Sequence, residues 1–215
     1  MRWPPLRAPG SPTKMSEPTI ITLLRHGEVE AEGWAFRGST DIPLSERGWS
    51  QMRAAASGFD GFDHIATSPL QRCKLFAREF SEQSKRELIT LDAMAEMDFG
   101  DWENRSFDEI SGSDNEVLQQ FWESPVGIQP PNGEAFDDFS QRVISCWQEW
   151  IKRDVGQNRL LVAHGGVIRV LLAHTLNMPM SALWRLHLPY ASCSQISLFA
   201  GHQPRLLFIN REVQS

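Results

Sequence analysis

Cationic and imidazole side chains follow three apolar segments of the sequence, at the point where each segment stops. They are Arg25 and His26 after residues 19–24, Arg72 shortly after residues 64–67, and His164 after residues 160–163. A single histidine or arginine at such a point is usually a hydrogen-bonded loop residue or a solvated surface residue. Charge placed at the end of a buried strand is nevertheless costly unless it meets a ligand or a partner. Three such sites together therefore predict one shared ligand-binding site.

The chemistry that suits these residue types is phosphoryl transfer. Imidazole is a competent nucleophile at neutral pH, which makes His26 the candidate nucleophile. Phosphorus needs an in-line attacker, and its nonbridging oxygens need cations or oriented donors. The guanidinium groups of Arg25 and Arg72 offer bidentate contacts to a phosphate. His164, if protonated, adds positive charge, and we expect neither a metal nor a cofactor.

Glycines flank both histidines in this pattern. Gly27 follows His26, and Gly165 and Gly166 follow His164. Because glycine lacks a side chain, we expect these positions to let the backbone approach a bound phosphate. A helix that starts near Val167 would add backbone N–H groups that favour an anion.

Apolar periodicity and turn residues predict the elements that position these side chains. The predicted strands are residues 19–24, 64–67, 87–90, 160–163, 195–199 and 206–209. The predicted helices are residues 45–59, 134–155, 167–176 and a helix from Pro69 through Arg78 and beyond. Residues 94–126 read as irregular, with helical pieces near Phe107 and Leu118, and residues 129–133 read as a loop. Alternation of strands and helices predicts an α/β fold, a three-layer α/β/α sandwich with a mainly parallel central sheet. Ligands of such sheets bind at the carboxyl ends of the strands, where the candidate residues lie.

Composition narrows the class of protein. The chain has 215 residues, 41% of them hydrophobic, which suits one well-buried core. A net charge of −6 argues against a nucleic-acid partner, and no apolar run is long enough for a membrane helix. Three widely spaced cysteines without metal-type spacing indicate free thiols in a reducing compartment. We therefore expect a cytoplasmic protein.

The first 15 residues contain four prolines and no apolar run. We interpret residues 1–15 as a disordered extension, or as sequence upstream of Met15 as the functional first residue. Residues 16–215 are expected to form a single domain. The sequence does not decide the oligomeric state, and a homodimer stays open.

Several motifs resemble the histidine phosphatase superfamily, also called phosphoglycerate-mutase-like, and they occur in the order typical of that family. They are Leu-Leu-Arg-His-Gly-Glu at 23–28, Gly-Ser-Thr-Asp-Ile-Pro-Leu-Ser at 38–45, Ser-Pro-Leu-Gln-Arg-Cys at 68–73, Glu-Met-Asp-Phe-Gly-Asp-Trp-Glu at 96–103 and Ala-His-Gly-Gly-Val-Ile-Arg at 163–169. The resemblance covers nearly all of the chain after Met15. It implies a phosphoglycerate-mutase-like fold and a phosphomonoesterase acting through a phosphohistidine.

The resemblance also implies roles for individual residues. His26 would carry the phosphoryl group, while Arg25, Arg72 and His164 would hold the phosphate. Glu96 would protonate the leaving oxygen and then activate water, although a loop carboxylate paired with an arginine is the simpler structural interpretation.

Two departures from the family pattern concern the phosphate contacts. Val29 replaces a common threonine, and Glu32 stands where many members have an asparagine that binds phosphate. Ser39 or Thr40, next to Gly38, would be alternative donors. In addition, Asn104 stands where glycine is common.

The short length and residues 184–194 resemble the α-ribazole phosphatase branch, whose members remove the 5′-phosphate of α-ribazole in cobalamin assembly. The residues expected to line the rest of the pocket are Trp34, Phe36, Arg37, Trp102 and Tyr190, and Gly165 and Arg37 are also expected to contact substrate. Three alternatives stay open: a broad small-molecule phosphatase, a mutase that returns the phosphoryl group to substrate, and a noncatalytic module that binds a phosphorylated ligand. The partner is in each case a small phosphate ester.

Overall fold

A six-stranded mixed sheet forms the centre of the molecule in a computed structural model that describes residues 17–31, 33, 35–59, 61–153 and 156–211. The predicted extension at 1–15 lies outside the described residues. The strands are β1 (Thr19–Arg25), β2 (His64–Thr67), β3 (Glu87–Thr90), β4 (Asn158–Ala163), β5 (Cys193–Leu198) and β6 (Arg205–Arg211). The α-helices are α1 (Glu46–Ser57), α2 (Gln71–Ser84), α3 (Phe107–Glu123), α4 (Phe136–Ile151) and α5 (Gly165–Thr175).

The order of strands in the sheet is β3-β2-β4-β1-β5-β6. The first four strands run parallel, β5 pairs antiparallel with β1, and β6 pairs antiparallel with β5. The prediction of a mainly parallel sheet is therefore confirmed. Strands β2, β4 and β1 are neighbours, so their carboxyl ends lie side by side at one edge of the sheet.

Helices cover both faces of this sheet, as the three-layer prediction requires. Side chains along β1 alternate between the faces. Ile21 and Leu23 pack with buried residues of α3, α4 and α5, whereas Leu24 packs with buried residues of α1 and α2. The two apolar clusters fix the sheet between the helical layers, and the site edge is held by a buried scaffold.

Most predicted elements are confirmed, with shifts at their ends. Helix α1 begins after Ser45, whose side chain accepts the Gly48 N–H at 3.0 Å, as expected for an N-cap. Helix α2 begins at Gln71, so the prediction that Pro69 lies in its first turn is wrong, while Arg72 does lie there. Helix α5 begins at Gly165, directly after His164.

The segment predicted to be irregular contains one longer helix. Helix α3 runs through both predicted helical pieces and is kinked at Asp114, whose backbone is not helical. A capping box between Ser106 and Glu109 fixes its start. Among the described residues, no helix is both long and apolar enough to cross a lipid bilayer.

Candidate active site

The ends of three adjacent strands bring the predicted histidines and arginines together. Arg25 is the last residue of β1, and His26 follows it. His164 lies between β4 and α5, and Arg72 lies in the first turn of α2, soon after β2. The imidazole rings of His26 and His164 are edge to face, with centroids 5.3 Å apart. Sequence-distant residues thus meet because their strands are neighbours in the sheet.

His26 presents one ring nitrogen for chemistry. Its Nδ1 lies 2.8 Å from the carbonyl oxygen of Gly27, and a carbonyl oxygen only accepts. Nδ1 therefore carries the proton of the neutral ring, and Nε2 keeps its lone pair. Burial, with the charges of Arg25 and Arg72, lowers the pKa of His26 well below its usual range. The imidazole is consequently neutral near pH 7, the state that a nucleophile needs.

Arg72 is almost fully buried, and bonds to the protein fix its guanidinium. Its two terminal nitrogens donate to the carbonyl oxygens of Gly38 at 2.6 Å and Thr40 at 2.7 Å. Its Nε donates to His164 Nδ1 at 3.2 Å. The arginine still lines the cavity described below, so its charge is held at the site in one orientation.

His164 is neutral in this arrangement. Its Nδ1 accepts from Arg72, and its Nε2 lies 2.6 Å from Ser68 Oγ, to which it donates. Burial and the charge of Arg72 lower the pKa of His164 well below its usual range. The condition under which His164 would add positive charge, its protonation, is therefore not met in this arrangement. His164 is fully buried behind Arg72 and is not among the residues that line the cavity.

The run Gly38–Thr40, predicted to contact substrate, turns its donors away from the cavity. The backbone N–H groups of Gly38, Ser39 and Thr40 all donate to the carboxylate of Glu103, at 2.8 to 3.3 Å. The Thr40 hydroxyl donates to the same carboxylate at 2.6 Å. The structure therefore does not bring these donors to the phosphate site. The carbonyls of Gly38 and Thr40 instead accept from Arg72, while Glu103 binds the N–H groups of the same loop.

Glu96 lines the same cavity and is 8% exposed. Its Oε2 accepts the N–H of Gly166 at 2.9 Å, at the first turn of α5, and its Oε1 accepts its neighbour's N–H, that of Met97, at 3.3 Å. Arg142 holds the loop before it, donating to the carbonyls of Ala93 at 2.7 Å, Ala95 at 2.9 Å and Glu96 at 3.2 Å. The predicted acid is thus fixed by backbone contacts beside the histidines.

Gly27 and Gly166 were predicted to let the backbone approach a phosphate, but they allow close packing within the protein, whereas Gly165 does line the cavity. A Cβ on Gly27 would collide with the backbone of Gly48 at the start of α1, so this glycine permits tight packing between two segments. A Cβ on Gly166 would collide with the carboxylate of Glu96. Gly165 lines the cavity, and a Cβ there would lie 3.0 Å from Arg169 Nη1.

The cavity has one basic end and one aromatic wall. It holds about 200 Å³ and is lined at its basic end by Arg25, His26, Arg72, Glu96, Gly165 and Arg169. The wall consists of aromatic side chains together with smaller apolar ones; the aromatic residues are Phe36, Phe99, Phe121, Trp122, Phe136, Phe139, Trp184 and Tyr190.

Three of the five residues predicted for this wall do line the cavity: Phe36, Arg37 and Tyr190. Tyr190 packs at 5.5 Å from the His26 ring and lies under the Arg25 guanidinium at 4.4 Å. Trp102 instead lies fully buried in the core, against Phe36. The predicted Trp34 lies outside the described residues.

Three charged residues that contribute to the basic end were missed by reasoning from the sequence: Glu103, Arg142 and Arg169. Two of them occur within quoted motifs, and Arg169 lies four residues after Gly165, a spacing that puts both on one helix face. No sequence motif distinguishes Arg142, whose role depends on tertiary hydrogen bonds to the loop that precedes Glu96. Val29 pairs with Leu44 in an isolated β-bridge, whereas Glu32 lies outside the described residues. Within the described ranges, no three His, Cys, Asp or Glu side chains are grouped to hold a metal ion.

Comparison with known proteins places this geometry in a family. Residues 21–212 match the histidine phosphatase superfamily (branch 1). The chain belongs to this superfamily. A bifunctional protein of Mycobacterium tuberculosis is 33% identical over 95% of the chain and 57% of its own length, so the chain spans little more than half of that relative.

Shorter relatives match along most of their length. An adenosylcobalamin/alpha-ribazole phosphatase of Salmonella typhimurium is 32% identical, over 84% of the chain and 91% of the relative. The crystal structure of the alpha-ribazole phosphatase from Shigella flexneri superimposes with a TM-score of 0.80 at 28% identity, covering 89% of this chain and 96% of that one. The predicted family and fold are confirmed, and the relatives' names agree with the predicted enzyme class.

Proposed function

We propose that this protein is a metal-independent phosphomonoesterase that acts through a phosphohistidine at His26. The observation that carries the proposal is the state of His26. Its imidazole is neutral, its Nδ1 proton is bound to the Gly27 carbonyl, and its Nε2 lone pair is left at the basic end of a cavity. Membership of the histidine phosphatase superfamily supports the same chemistry.

In the first step, His26 Nε2 attacks phosphorus and forms an N–P bond as the P–O bond to the leaving group breaks. Glu96, protonated at this stage, transfers its proton to the leaving oxygen. Arg25 and Arg72 balance the charge on the nonbridging oxygens. His164 holds Arg72 through its Nδ1 and so acts as a positioning residue.

In the second step, Glu96 accepts a proton from water as the water oxygen attacks phosphorus. The N–P bond breaks, its electron pair returns to His26 Nε2, and inorganic phosphate leaves. Each group ends the cycle in its starting state, so no oxidant or reductant is consumed, and arginines supply the positive charge that a metal ion would supply in other phosphatases. Addition of a chelator is expected to leave the rate unchanged.

We infer that the substrate is a small ester that combines a phosphate with an aromatic group, and that α-ribazole 5′-phosphate is the first compound to test. A cavity of about 200 Å³ favours a small molecule over a phosphoprotein. Aromatic side chains form the wall away from the basic end, and a flat ring stacks favourably on such a surface. Relatives that match along most of their length are named for this substrate.

The experiment is phosphate release from a panel of esters by purified protein without added metal. The panel contains α-ribazole 5′-phosphate, ribose 5-phosphate, phosphoserine, 3-phosphoglycerate and p-nitrophenyl phosphate. We expect α-ribazole 5′-phosphate to give the highest kcat/KM. If it is no better than ribose 5-phosphate, the substrate proposal fails and a broad phosphatase remains. An isomerised phosphoglycerate without free phosphate would instead indicate a mutase.

A further inference from the structure

Arg169 is a half-buried arginine whose place in the site is not explained by the mechanism above. It lies on α5, four residues after Gly165, and lines the basic end of the cavity. Burial and the charge of Arg25 lower its pKa to about 10, so it stays protonated at neutral pH. A cation that is partly shielded from water is stabilised by an anionic partner.

Contacts with the protein orient the Arg169 guanidinium, while its terminal nitrogens, Nη1 and Nη2, stay available at the cavity. Its Nε donates to the carbonyl of Leu186 at 2.9 Å, and its plane lies 5.6 Å from the Trp184 ring. The indole of Trp184 is itself fixed, donating to the Phe121 carbonyl at 2.8 Å. In the part of the chain that the structure describes, no carboxylate oxygen lies within 4.0 Å of Arg169, and its Nη1 and Nη2 make no hydrogen bond.

Arg25 approaches the same point from the neighbouring strand end. A Cβ built on Gly165 would lie 3.0 Å from Arg169 Nη1 and 3.3 Å from Arg25 Nε. Arg25 Nε is buried and has no hydrogen-bond partner among the described residues, while one terminal nitrogen of Arg25 donates to the Leu188 carbonyl. The two guanidinium groups thus lie close together beside Gly165, and each has N–H groups that make no hydrogen bond among the described residues. Like charges held so close repel each other unless an anion lies between them.

The carboxylate of Glu96 offsets part of this repulsion, since its charge acts on both Arg25 and Arg169, but it does not pair directly with Arg169. Its two oxygens accept from backbone N–H groups, and it makes no ion pair with Arg169 within 4.0 Å. The terminal nitrogens of Arg169 therefore remain available to an anion that the ligand supplies. The phosphoryl group is the anion that Arg25 and His26 already face.

We propose that Arg169 is a third phosphoryl-binding arginine, which binds nonbridging oxygens together with Arg25 and contacts no part of the leaving group. This inference rests on the proposed function, because it concerns the same bound phosphate. It assigns Arg169 an equal role with every ester that the enzyme accepts. Specificity among esters would then come from the aromatic wall and not from the arginines.

The test compares Arg169→Gln with the wild type on ribose 5-phosphate, phenyl phosphate and p-nitrophenyl phosphate, with inorganic phosphate as a competitive inhibitor. We expect kcat/KM to fall about 10- to 100-fold, by the same factor for all three esters, because one charged hydrogen bond is lost. The inhibition constant for inorganic phosphate should rise, and Arg169→Lys should restore part of the loss. Arg78→Gln, an exposed arginine on α2, is the matched control and should match the wild type.

Two results would overturn the inference. An unchanged inhibition constant for phosphate would mean that Arg169 does not bind the phosphoryl group. A loss that grows as the leaving group becomes more basic would mean that Arg169 acts through the acid, Glu96. Circular dichroism and thermal melting of both variants separate these results from misfolding. If the wild type itself releases no phosphate from any ester, the proposed function fails, which is a distinct outcome.

Discussion

The basic end and the aromatic wall of the cavity are built in different ways. At the basic end, His26, Arg72 and Glu96 are each fixed by hydrogen bonds to backbone or to buried side chains. The wall is held by ring packing, as between Trp122 and Trp184, whose centroids are 4.8 Å apart. Hydrogen bonds impose direction, whereas apolar packing tolerates substitution of similar volume. We therefore expect the basic end to carry out the same reaction on every ester, and the aromatic wall to determine which esters bind well.

This comparison predicts that variants at the basic end affect every ester, while variants in the wall affect only some. The largest effect is expected at the nucleophile. His26→Ala should lower kcat on the order of 10⁴-fold or more, since no other group can form the N–P bond. The fall in kcat is measured by phosphate release from p-nitrophenyl phosphate.

The exposed His202→Gln serves as the control for that variant and should retain full activity. Retention of ligand binding by His26→Ala, shown by calorimetry with inorganic phosphate, would separate lost chemistry from lost folding. Full activity of His26→Ala would contradict the mechanism. If the wild type binds a phosphorylated ligand but releases no phosphate from it, the protein is instead a noncatalytic binding module.

Glu96→Gln should give the next largest effect, and its size should depend on the leaving group. With ribose 5-phosphate, whose leaving oxygen needs a proton, kcat should fall about 10²- to 10⁴-fold. With p-nitrophenyl phosphate the first step needs no acid, so formation of the intermediate should change little. An equal loss of the first-step rate with both esters would show that Glu96 is not the acid.

A variant of Glu103 tests whether the basic end depends on the Gly38–Thr40 loop, whose N–H groups bind this carboxylate. Glu103→Ala removes the acceptor for the N–H groups of Gly38–Thr40, whose carbonyls hold Arg72. We expect kcat/KM to fall about 10- to 100-fold for all esters, because displacement of Arg72 disturbs the bound geometry. Glu103→Gln, which keeps one acceptor oxygen, should lose less.

The exposed Glu116→Ala, on α3, is the matched control for Glu103→Ala and should behave as the wild type. The inhibition constant of inorganic phosphate distinguishes a displaced Arg72 from general destabilisation. If that constant is unchanged in Glu103→Ala, the loop does not position Arg72.

A wall variant should produce the opposite pattern. Trp122→Leu keeps the site apolar but removes a stacking surface, so kcat/KM for α-ribazole 5′-phosphate should fall by about 10-fold. The value for ribose 5-phosphate, which has no aromatic ring, should change little. A uniform loss with both esters would break the division between the two regions.

The smallest effect concerns stability and pH. Burial lowers the pKa of His64, which packs against Trp150 and is 2% exposed. In the unfolded chain, His64 takes up a proton as the pH falls below its ordinary pKa near 6.5, whereas in the folded protein it stays neutral to a lower pH. The contribution of His64 to the free energy of unfolding is therefore complete above pH 6.5 and is lost as the pH falls toward the folded-state pKa. Buried His26 and His164 act in the same direction.

Urea unfolding at a series of pH values measures this dependence. His64→Gln should reduce the loss of unfolding free energy between pH 6.5 and pH 5, compared with the wild type. An unchanged slope in this variant would show that His64 does not contribute.

The strand ends and the family motifs could be predicted from the sequence, because apolar runs and the residues that stop them are local signals. The meeting of Arg25, Arg72 and His164 follows once the strands are parallel neighbours. The protonation of His164 could not be predicted, since it depends on its hydrogen bonds to Arg72 and Ser68. The direction of the Gly38–Thr40 donors depends likewise on Glu103, a contact across more than sixty residues of chain.

Packing also decided which aromatic residues reach the cavity. Phe36 and Trp102 are in contact, yet only Phe36 lines the cavity, and no periodicity in the sequence separates them. Arg142 belongs to α4 and looks from the sequence like an ordinary helical arginine, but it bridges to the loop of Glu96. Such roles arise from tertiary contacts alone.

The most direct test of the central claim is to trap the phosphoryl group on His26. Glu96→Gln should form the intermediate from p-nitrophenyl phosphate and hydrolyse it slowly, so rapid mixing should show a burst of one nitrophenolate per site. Mass spectrometry of the quenched protein should then find one phosphoryl group, acid-labile and stable to base, on His26. A phosphoryl group on another residue, or turnover with neither a burst nor a phosphorylated protein, would contradict the account.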